Sequence, residues 1–145
     1  MLQFKGSSFA PVLAEIHTQC FDNPWPEPVF TDLLNLPTSF GFLTQEGFIL
    51  CSDLGTDVEI LTLAVLPQYR RKGLASQLLD ALKQYIDSNQ KTHIFLEVKC
   101  TNTPAINLYR KNNFIQTGYR KNYYHENGQM FDAICLTWEK EPLQK

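Results

Sequence analysis

The sequence lacks closely spaced cysteines. Its 145 residues contain four cysteines and three histidines. Metal sites usually show at least one short ligand spacing, so we expect no bound metal and free, mostly buried thiols in a reducing compartment. The cysteines are Cys20, Cys51, Cys100 and Cys135.

The sequence also lacks an excess of positive charge and any long hydrophobic run. Thirteen basic against fifteen acidic residues give a formal net charge of -2. Binding nucleic acid through its phosphates usually needs a basic surface, so we expect no direct nucleic-acid binding. No apolar run approaches the roughly 20 residues of a membrane span. Residues 1–10 lack both the basic start and the long apolar stretch that are typical of a secretion signal. We therefore expect a cytoplasmic protein that does not associate with membranes.

The composition is that of a folded protein, with 43% hydrophobic and 19% charged residues. This length fits one compact domain, 1–145, and is too short for two ordinary ones. The hydrophobic spacing predicts two helices, three strands, a helix, a strand, a helix and two strands. That order indicates a mixed α/β domain.

The predicted elements have the following bounds. The helices are Phe9–Cys20, Val29–Leu36, one whose apolar stripe runs from Leu74 to Ile86, and one that Thr103 caps and that ends near Asn112-Asn113. The strands are Phe40–Thr44, Phe48–Asp53, Val58–Leu66, His93–Val98, Phe114–Tyr119 and Phe131–Trp138. The polar, aromatic segment Arg120–Gln129 is expected to connect the last two strands.

The junction from Leu63 to Ala75 is the most informative part of the chain. A buried strand leads into a basic turn with one glycine, and a long amphipathic helix follows at once. The first amides of a helix have no internal partners, and the helix dipole favours negative charge there. Gly73 allows a ligand to approach the backbone closely. These features predict a pyrophosphate site, whereas a lone glycine after solvated basic residues would predict only an ordinary turn.

The spacing Arg70-x-x-Gly73-x-Ala75 resembles the signature of the GNAT family of N-acetyltransferases. The resemblance covers almost the whole chain. It implies a mostly antiparallel mixed sheet flanked by helices, with a splayed strand pair at the cofactor site, and acetyl-coenzyme A as co-substrate. By this likeness the pantetheine arm pairs with the backbone of a bulged strand and the pyrophosphate lies on the loop. The implied contacts are Leu63, Ala64, Val65, Arg70, Arg71, Lys72, Gly73, Leu74, Ala75 and Ser76.

A second set of residues resembles the ribosomal-protein-alanine N-acetyltransferase subgroup of that family. The matching segments are Asn23-Pro24-Trp25, Leu96-Glu97-Val98, Asn102, Ala105-Ile106-x-Leu108-Tyr109, Asn113-Phe114 and Arg120-Lys121-Asn122-Tyr123-Tyr124. By this resemblance Glu97 is the proton acceptor, Tyr109 the proton donor and Asn102 a coenzyme A contact. The chain departs from the subgroup at His125, where a proline often follows the paired tyrosines.

Each of these residues also has a purely structural interpretation. Glu97 could face solvent through strand alternation, Tyr109 could belong to the core, and Asn102 could shape a turn. The combination at this spacing favours function for Glu97 and Tyr109. Tyr123 and Tyr124 either line the substrate peptide's path or pair across the last two strands. Trp25 either lines the same groove or fills the core under the first loop.

The sequence therefore predicts direct transfer of acetyl to the N-terminal α-amine of a protein, by resemblance the alanine that begins a small-subunit ribosomal protein. Three alternatives stay open. One is the same fold acting on a lysine, a polyamine or a small-molecule amine. Another is a catalytically silent module that binds coenzyme A or a partner. The third, which the sequence supports least, is a cysteine acyltransferase that uses Cys100. Neither the acceptor nor the oligomeric state follows from the sequence.

Overall fold

A computed structural model describes residues 1–140 of the chain. Its centre is one seven-stranded sheet with the strand order β1-β2-β3-β4-β5-β7-β6. The strands are β1 (Leu2–Phe4), β2 (Ser39–Leu43), β3 (Gly47–Asp53), β4 (Asp57–Val65), β5 (His93–Lys99), β6 (Ile115–Glu126) and β7 (Gln129–Glu139). The helices are α1 (Ala10–Cys20), α2 (Glu27–Leu34), α3 (Leu74–Ser88) and α4 (Thr103–Lys111).

The sheet is mixed and mostly antiparallel. Only β4 and β5 run parallel to each other, and every other neighbouring pair is antiparallel. The parallel connection passes through α3, as a crossover between parallel strands requires. The predicted α/β class and the sheet flanked by helices are confirmed.

Helices cover the two faces of the sheet and bury two separate hydrophobic clusters. On one face, α3 and α4 pack over β2 to β5, with the buried side chains Leu78, Leu79, Leu82, Ile94 and Leu96. On the other face, α1 and α2 pack over β3 and β4 around Phe30, Phe48 and Leu50. The hydrophobic stripe on α3 that the sequence showed is the stripe that faces the first cluster.

The prediction for the last two strands was wrong in its bounds. Strand β6 continues from Ile115 to Glu126, so most of the predicted connection is strand. The actual turn is Asn127-Gly128, where both residues have positive φ, 52° and 77°. Such a two-residue turn matches the twist of a hairpin, and Asn-Gly is its usual sequence. This dipeptide was a usable signal that the polar, aromatic composition around it concealed.

Two shorter features also differ from the prediction. Strand β1 at the edge of the sheet was not predicted, because a three-residue strand leaves almost no periodicity to detect. The N-cap of α4 is Asn102 rather than Thr103, since the Asn102 Oδ1 accepts a hydrogen bond from the Ala105 amide at 3.3 Å. In the described range of residues, no helix combines the length and apolar character needed to cross a membrane.

Candidate active site

The sheet opens between β4 and β5. The two strands pair only from Asp57–His93 to Glu59–Phe95. Beyond that point β5 continues to pair with β7, whereas the β5-facing edge of β4 has no strand partner within the described residues. Parallel strands that separate in this way leave unpaired backbone donors and acceptors along a narrow gap. This is the splayed pair that the family resemblance implied.

A β-bulge marks the place where β4 departs from regular pairing. Leu50 pairs with Thr62 and Cys51 with Ile60, so Leu61 has no opposite residue on β3. A bulge bends and twists its strand, which turns the rest of β4 away from β5. The bulge precedes the predicted stretch Leu63–Val65 by two residues. The side chains of Ala64 and Val65 are buried in the two clusters, and only their backbone is available to a ligand in the gap.

The turn between β4 and α3 has the backbone shape of an anion site. Arg71 and Gly73 both have positive φ, 65° and 79°, and Gly73 is the N-cap of α3 without any side-chain cap. The first α3 amides therefore have no side-chain acceptor from the cap, and they lie at the positive end of the helix dipole. A Cβ added to Gly73 would meet nothing within 4 Å, so the space before these amides is open. The turn fits the pyrophosphate of coenzyme A.

The basic residues of this turn have different surroundings. The Arg70 Nε donates to the Val65 carbonyl at 3.0 Å and an Arg70 Nη donates to the Cys20 carbonyl at 3.4 Å. Arg70 thus braces the turn against β4 and α1 through the backbone. Arg71 and Lys72 are exposed, and the Lys72 ammonium lies 5.9 Å from the centre of the Tyr69 ring. These two side chains are placed to attract phosphate charge from solvent.

Glu97 lies on β5 where the gap begins, on the sheet face that α1 and α2 partly cover. Its side chain is 14% exposed. One carboxylate oxygen, Oε1, is 3.2 Å from the Arg120 Nε, and the Tyr124 hydroxyl donates to the Glu97 backbone carbonyl at 3.2 Å. The other oxygen, Oε2, is buried and has no hydrogen-bond partner within residues 1–140. A buried carboxylate oxygen normally has a donor, so Oε2 is a place for a donor from a substrate.

Tyr109 lies on the opposite face, in the cluster beneath α3 and α4. It is 5% exposed, and burial, with a smaller contribution from nearby Cys51, raises the pKa of its hydroxyl. The phenol therefore stays protonated at neutral pH and can donate a hydrogen bond. Cys51 pairs with Ile60, the residue before the bulge. Glu97 alternates with Leu96 and Val98, which belong to the same cluster as Tyr109, so Tyr109 and Glu97 lie on opposite faces of the sheet.

The end of α4 fixes the Tyr109 side chain. Asn113 has a φ of 71°, and its amide donates to the Arg110 carbonyl at 3.0 Å. The Phe114 amide donates to the Tyr109 carbonyl at 3.0 Å, and the two rings meet edge to face at 5.3 Å between centroids. These bonds and this ring contact form a Schellman motif, the usual way for a left-handed residue to end a helix. Asn113 supplies the left-handed residue that glycine often provides.

The remaining predicted residues are distributed as follows. Tyr123 is 48% exposed, and the negative charge of Glu97, followed by burial and by the approach of the Tyr123 hydroxyl to the Glu97 carboxylate, raises its pKa. Tyr124 is half-buried, and burial followed by the Glu97 charge raises its pKa to about 12. Both tyrosines therefore adjoin the acid. Trp25 stacks on His17 with centroids 5.1 Å apart and packs against the α1–α2 cluster, which is the core role. Asn102 caps α4, which is the structural role, and its side chain stays exposed.

Sequence reasoning missed two members of this site. Glu59 is half-buried on β4, and Arg120 reaches Glu97 from β6 across β7. Glu59 interrupts an apolar strand just as Glu97 does. A carboxylate within an apolar strand was therefore a usable signal for both residues. Arg120 lies beside a wide irregularity in which residues 121–123 of β6 oppose the single residue Asp132. No group of three His, Cys, Asp or Glu side chains is placed to hold a metal ion in the part of the chain described.

Comparison with known proteins agrees with this geometry. The model of the acetyltransferase (GNAT) family matches residues 10–114. The chain is 30% identical over 128 residues to a putative [ribosomal protein bS18]-alanine N-acetyltransferase of Bacillus subtilis, and the match covers 84% of this chain and 83% of that protein.

Two solved structures share the fold. The ribosomal-protein-S18-alanine N-acetyltransferase of Escherichia coli superposes with a TM-score of 0.83 at 24% identity, covering 95% of this chain and 92% of the other. Arabidopsis thaliana NAA60 in complex with acetyl-CoA superposes with a TM-score of 0.77 at 21% identity, covering 95% and 97%. The chain belongs to the GNAT acetyltransferase family, and it is an acetyl-CoA-dependent N-acetyltransferase.

Proposed function

We propose that this enzyme acetylates the N-terminal α-amine of a protein, and that the acceptor is the N-terminal alanine of a small-subunit ribosomal protein in the cytoplasm. In support, the Bacillus subtilis relative is named a putative [ribosomal protein bS18]-alanine N-acetyltransferase, and its match extends over most of both chains. The observation that carries the proposal is Glu97, whose buried Oε2 has no donor among residues 1–140 at the point where the sheet opens.

The proposed reaction needs one proton acceptor and one hydrogen-bond donor from the protein. Acetyl-CoA supplies an activated acyl group when it is bound along β4 and the α3 turn. The acceptor nitrogen must give up a proton, and Glu97 accepts it directly or through water. The nitrogen then forms a bond to the acyl carbon while the bond from that carbon to sulfur breaks. The Tyr109 hydroxyl donates to the sulfur that leaves. No covalent intermediate on the enzyme is required.

A free α-amine is an acceptor that suits Glu97 as the one group that accepts a proton. Its reference pKa is about 8, whereas that of a lysine is about 10.4. At pH 7 about a tenth of the α-amine is already neutral, compared with less than a thousandth of the lysine amine. One proton acceptor without a strongly basic partner is therefore enough for an α-amine.

A comparison of two peptides tests the proposal. One begins with alanine and has no lysine, and the other has a blocked N-terminus and one internal lysine. We expect acetylation of the first, with a rate that rises with pH and levels off near pH 8. Glu97→Gln should reduce this rate most at pH 7 and less at pH 9, where the amine loses its proton unaided.

Other outcomes identify the alternatives. Equal turnover of the blocked lysine peptide, with a rate still rising at pH 9, would refute the α-amine proposal and favour a lysine acceptor. Turnover of polyamines alone would favour a small-molecule enzyme. An absence of turnover with bound acetyl-CoA would indicate a silent module. Labelled acetyl-CoA added to a cell extract would then show whether a ribosomal protein carries the label.

A further inference from the structure

Glu59 faces the same side of the sheet as Glu97 and lies at the last paired position before the gap. On β3 its partner is Ser52, which alternates with Leu50 and Phe48 on the face that α1 and α2 cover. On β5 its partner is Phe95, two residues before Glu97. Side chains two apart on a strand share a face, so both carboxylates project on the same side of the sheet beside the opening.

The charges in this cluster act on one another. Burial and then the negative charge of Glu97 raise the pKa of Glu59, while the Arg120 guanidinium acts in the opposite direction. Glu97, and to a smaller extent Glu59, raise the pKa of Tyr123, and Arg120 again opposes this effect. These mutual effects place Glu59, Glu97, Arg120 and Tyr123 in one group, with Tyr124 beside it. Two carboxylates face a single guanidinium in that group.

The hold of Arg120 on the pair is weak. It contacts Glu97 through Nε alone at 3.2 Å, and its side chain is 59% exposed. Exposed ion pairs of this kind contribute about 0–1 kcal/mol to stability, so a competing cation can displace the guanidinium. Glu97 Oε2 meanwhile has no donor in the described structure. The group has the charge and the open acceptor needed to receive a second cation.

We propose that Glu59 is a specificity-determining residue, which together with Glu97 binds the acceptor's protonated amine while Arg120 moves aside. This inference rests on the proposed function, and it names the side chains that recognise the acceptor's amine. The ammonium donates to the two carboxylates on binding. One N–H proton then passes to Glu97, so the nitrogen lone pair becomes free and Glu97 becomes a neutral acid. After the bond from nitrogen to the acyl carbon forms and the bond from that carbon to sulfur breaks, the second N–H proton passes to the thiolate that leaves. Glu59 keeps its negative charge throughout.

The test measures the peptide KM of Glu59→Gln, which keeps the side-chain shape and removes the charge. With a peptide that begins with alanine, we expect the KM at pH 7 to rise roughly tenfold, the loss of one charge-assisted contact. The KM for acetyl-CoA should not change. At pH 9.5, where the α-amine is neutral, the difference in peptide KM should nearly vanish. A purely structural role would not depend on the charge of the substrate.

Two further variants complete the test. Asp87→Asn removes one negative charge from exposed α3 on the other face, and it should leave the peptide KM unchanged. Arg120→Gln should lower the peptide KM, because the cation that competes for Glu97 is gone. A folded Glu59→Gln enzyme with the wild-type peptide KM at pH 7, or with the same defect at both pH values, would overturn the proposal.

Failure of the proposed function would look different. If the wild-type enzyme acetylated only the blocked lysine peptide, the α-amine assignment would be wrong. The same Glu59→Gln comparison on that peptide would still decide whether the carboxylate pair binds the acceptor's ammonium, since a raised KM would support the pair and an unchanged one would refute it.

Discussion

Tyr109 has a packing role in the structure, and the proposed mechanism gives the same side chain a chemical role. Its ring is held by the α4 end and by Phe114, and burial raises the pKa of its hydroxyl above the usual value. A phenol whose pKa exceeds 10 does not readily transfer its proton to a thiolate of pKa about 8.5, since that transfer is uphill. In the proposed mechanism the hydroxyl therefore acts as a hydrogen-bond donor to the charge that develops on sulfur, and the sulfur leaves without complete proton transfer from Tyr109.

Removing this hydroxyl should lower kcat without loss of the fold. We expect Tyr109→Phe to reduce kcat about 10²- to 10³-fold, the usual effect of deleting one donor to a developing charge, and to leave the acetyl-CoA KM nearly unchanged. Tyr85→Phe is the matched control, because the Tyr85 hydroxyl donates to Asp53 at 2.7 Å and lies away from the gap. The control should change stability and leave kcat intact. A Tyr109→Phe defect confined to KM would make the hydroxyl a binding contact instead.

At the scale of elements, His17 joins α1, the loop before α2 and β4. The Trp25 amide donates to Nδ1 at 3.0 Å, so the proton resides on Nε2, which is 3.2 Å from the Thr62 hydroxyl. Burial lowers the pKa of this imidazole to about 4. A protonated ring would have to give up the Trp25 contact, because Nδ1 would then carry a proton. The neutral ring thus holds the loop against the strand next to the bulge.

This burial predicts a loss of stability in mild acid. In the unfolded chain His17 binds a proton near pH 6.5, but in the folded protein it does so only near pH 4. The unfolded state therefore binds more protons between these values, and the free energy of unfolding falls as the pH falls through that window. His17 alone accounts for a loss of about 2 kcal/mol between pH 7 and pH 5.

Urea denaturation at both pH values would measure this loss. His17→Gln should be less stable at pH 7 and should show a pH dependence smaller by about that amount. His125→Gln, at an exposed position, should keep the wild-type dependence. An identical pH dependence in His17→Gln and the wild type would show that His17 is not buried as a neutral ring.

The sequence predicted those elements that have a long hydrophobic pattern and whose ends are set by residues close by in the chain. The α3 stripe and the αL residue after α4 are examples, because apolar spacing and asparagine conformation act within a few residues. It did not predict that β6 extends to Glu126, since that strand is stabilised by pairing with β7 rather than by its own composition. The Glu59–Glu97–Arg120 group depends on three strands meeting, which no local pattern encodes. Motif spacing predicted Glu97 and Tyr109 as catalytic candidates, but it could not show which hydrogen-bond donors Glu97 lacks.

The whole sheet consists of two parts that join weakly at the gap. Strands β1 to β4 form one part and β5, β7 and β6 the other, and only three residue pairs of β4 and β5 connect them directly. Helices α3 and α4 bridge the two parts from one face through the larger cluster. A ligand that binds along β4 and the α3 turn therefore contacts a region where pairing between β4 and β5 is absent. Binding there should stabilise the folded molecule as a unit.

Acetyl-CoA should accordingly raise the melting temperature, and Gly73 should be necessary for that rise. A ligand at 100 times its Kd adds about 2.7 kcal/mol to the free energy of unfolding. For a chain of this size that corresponds to roughly 5–10 °C. Gly73→Val places a branched side chain in the open space before the α3 amides, so it should abolish the shift and weaken binding in calorimetry.

The variant also strains the backbone, because the φ of Gly73 is +79°, and its melting temperature without ligand should fall. Gly55→Val separates the two effects. Gly55 has a φ of +100° with nothing within 4 Å of an added Cβ, and it precedes β4 at the opposite end from the turn, about 30 Å away along the strand. This control should lose stability without ligand but keep the full acetyl-CoA shift. If folded Gly73→Val kept the shift as well, the pyrophosphate would have to bind elsewhere, and the assignment of the α3 turn would be wrong.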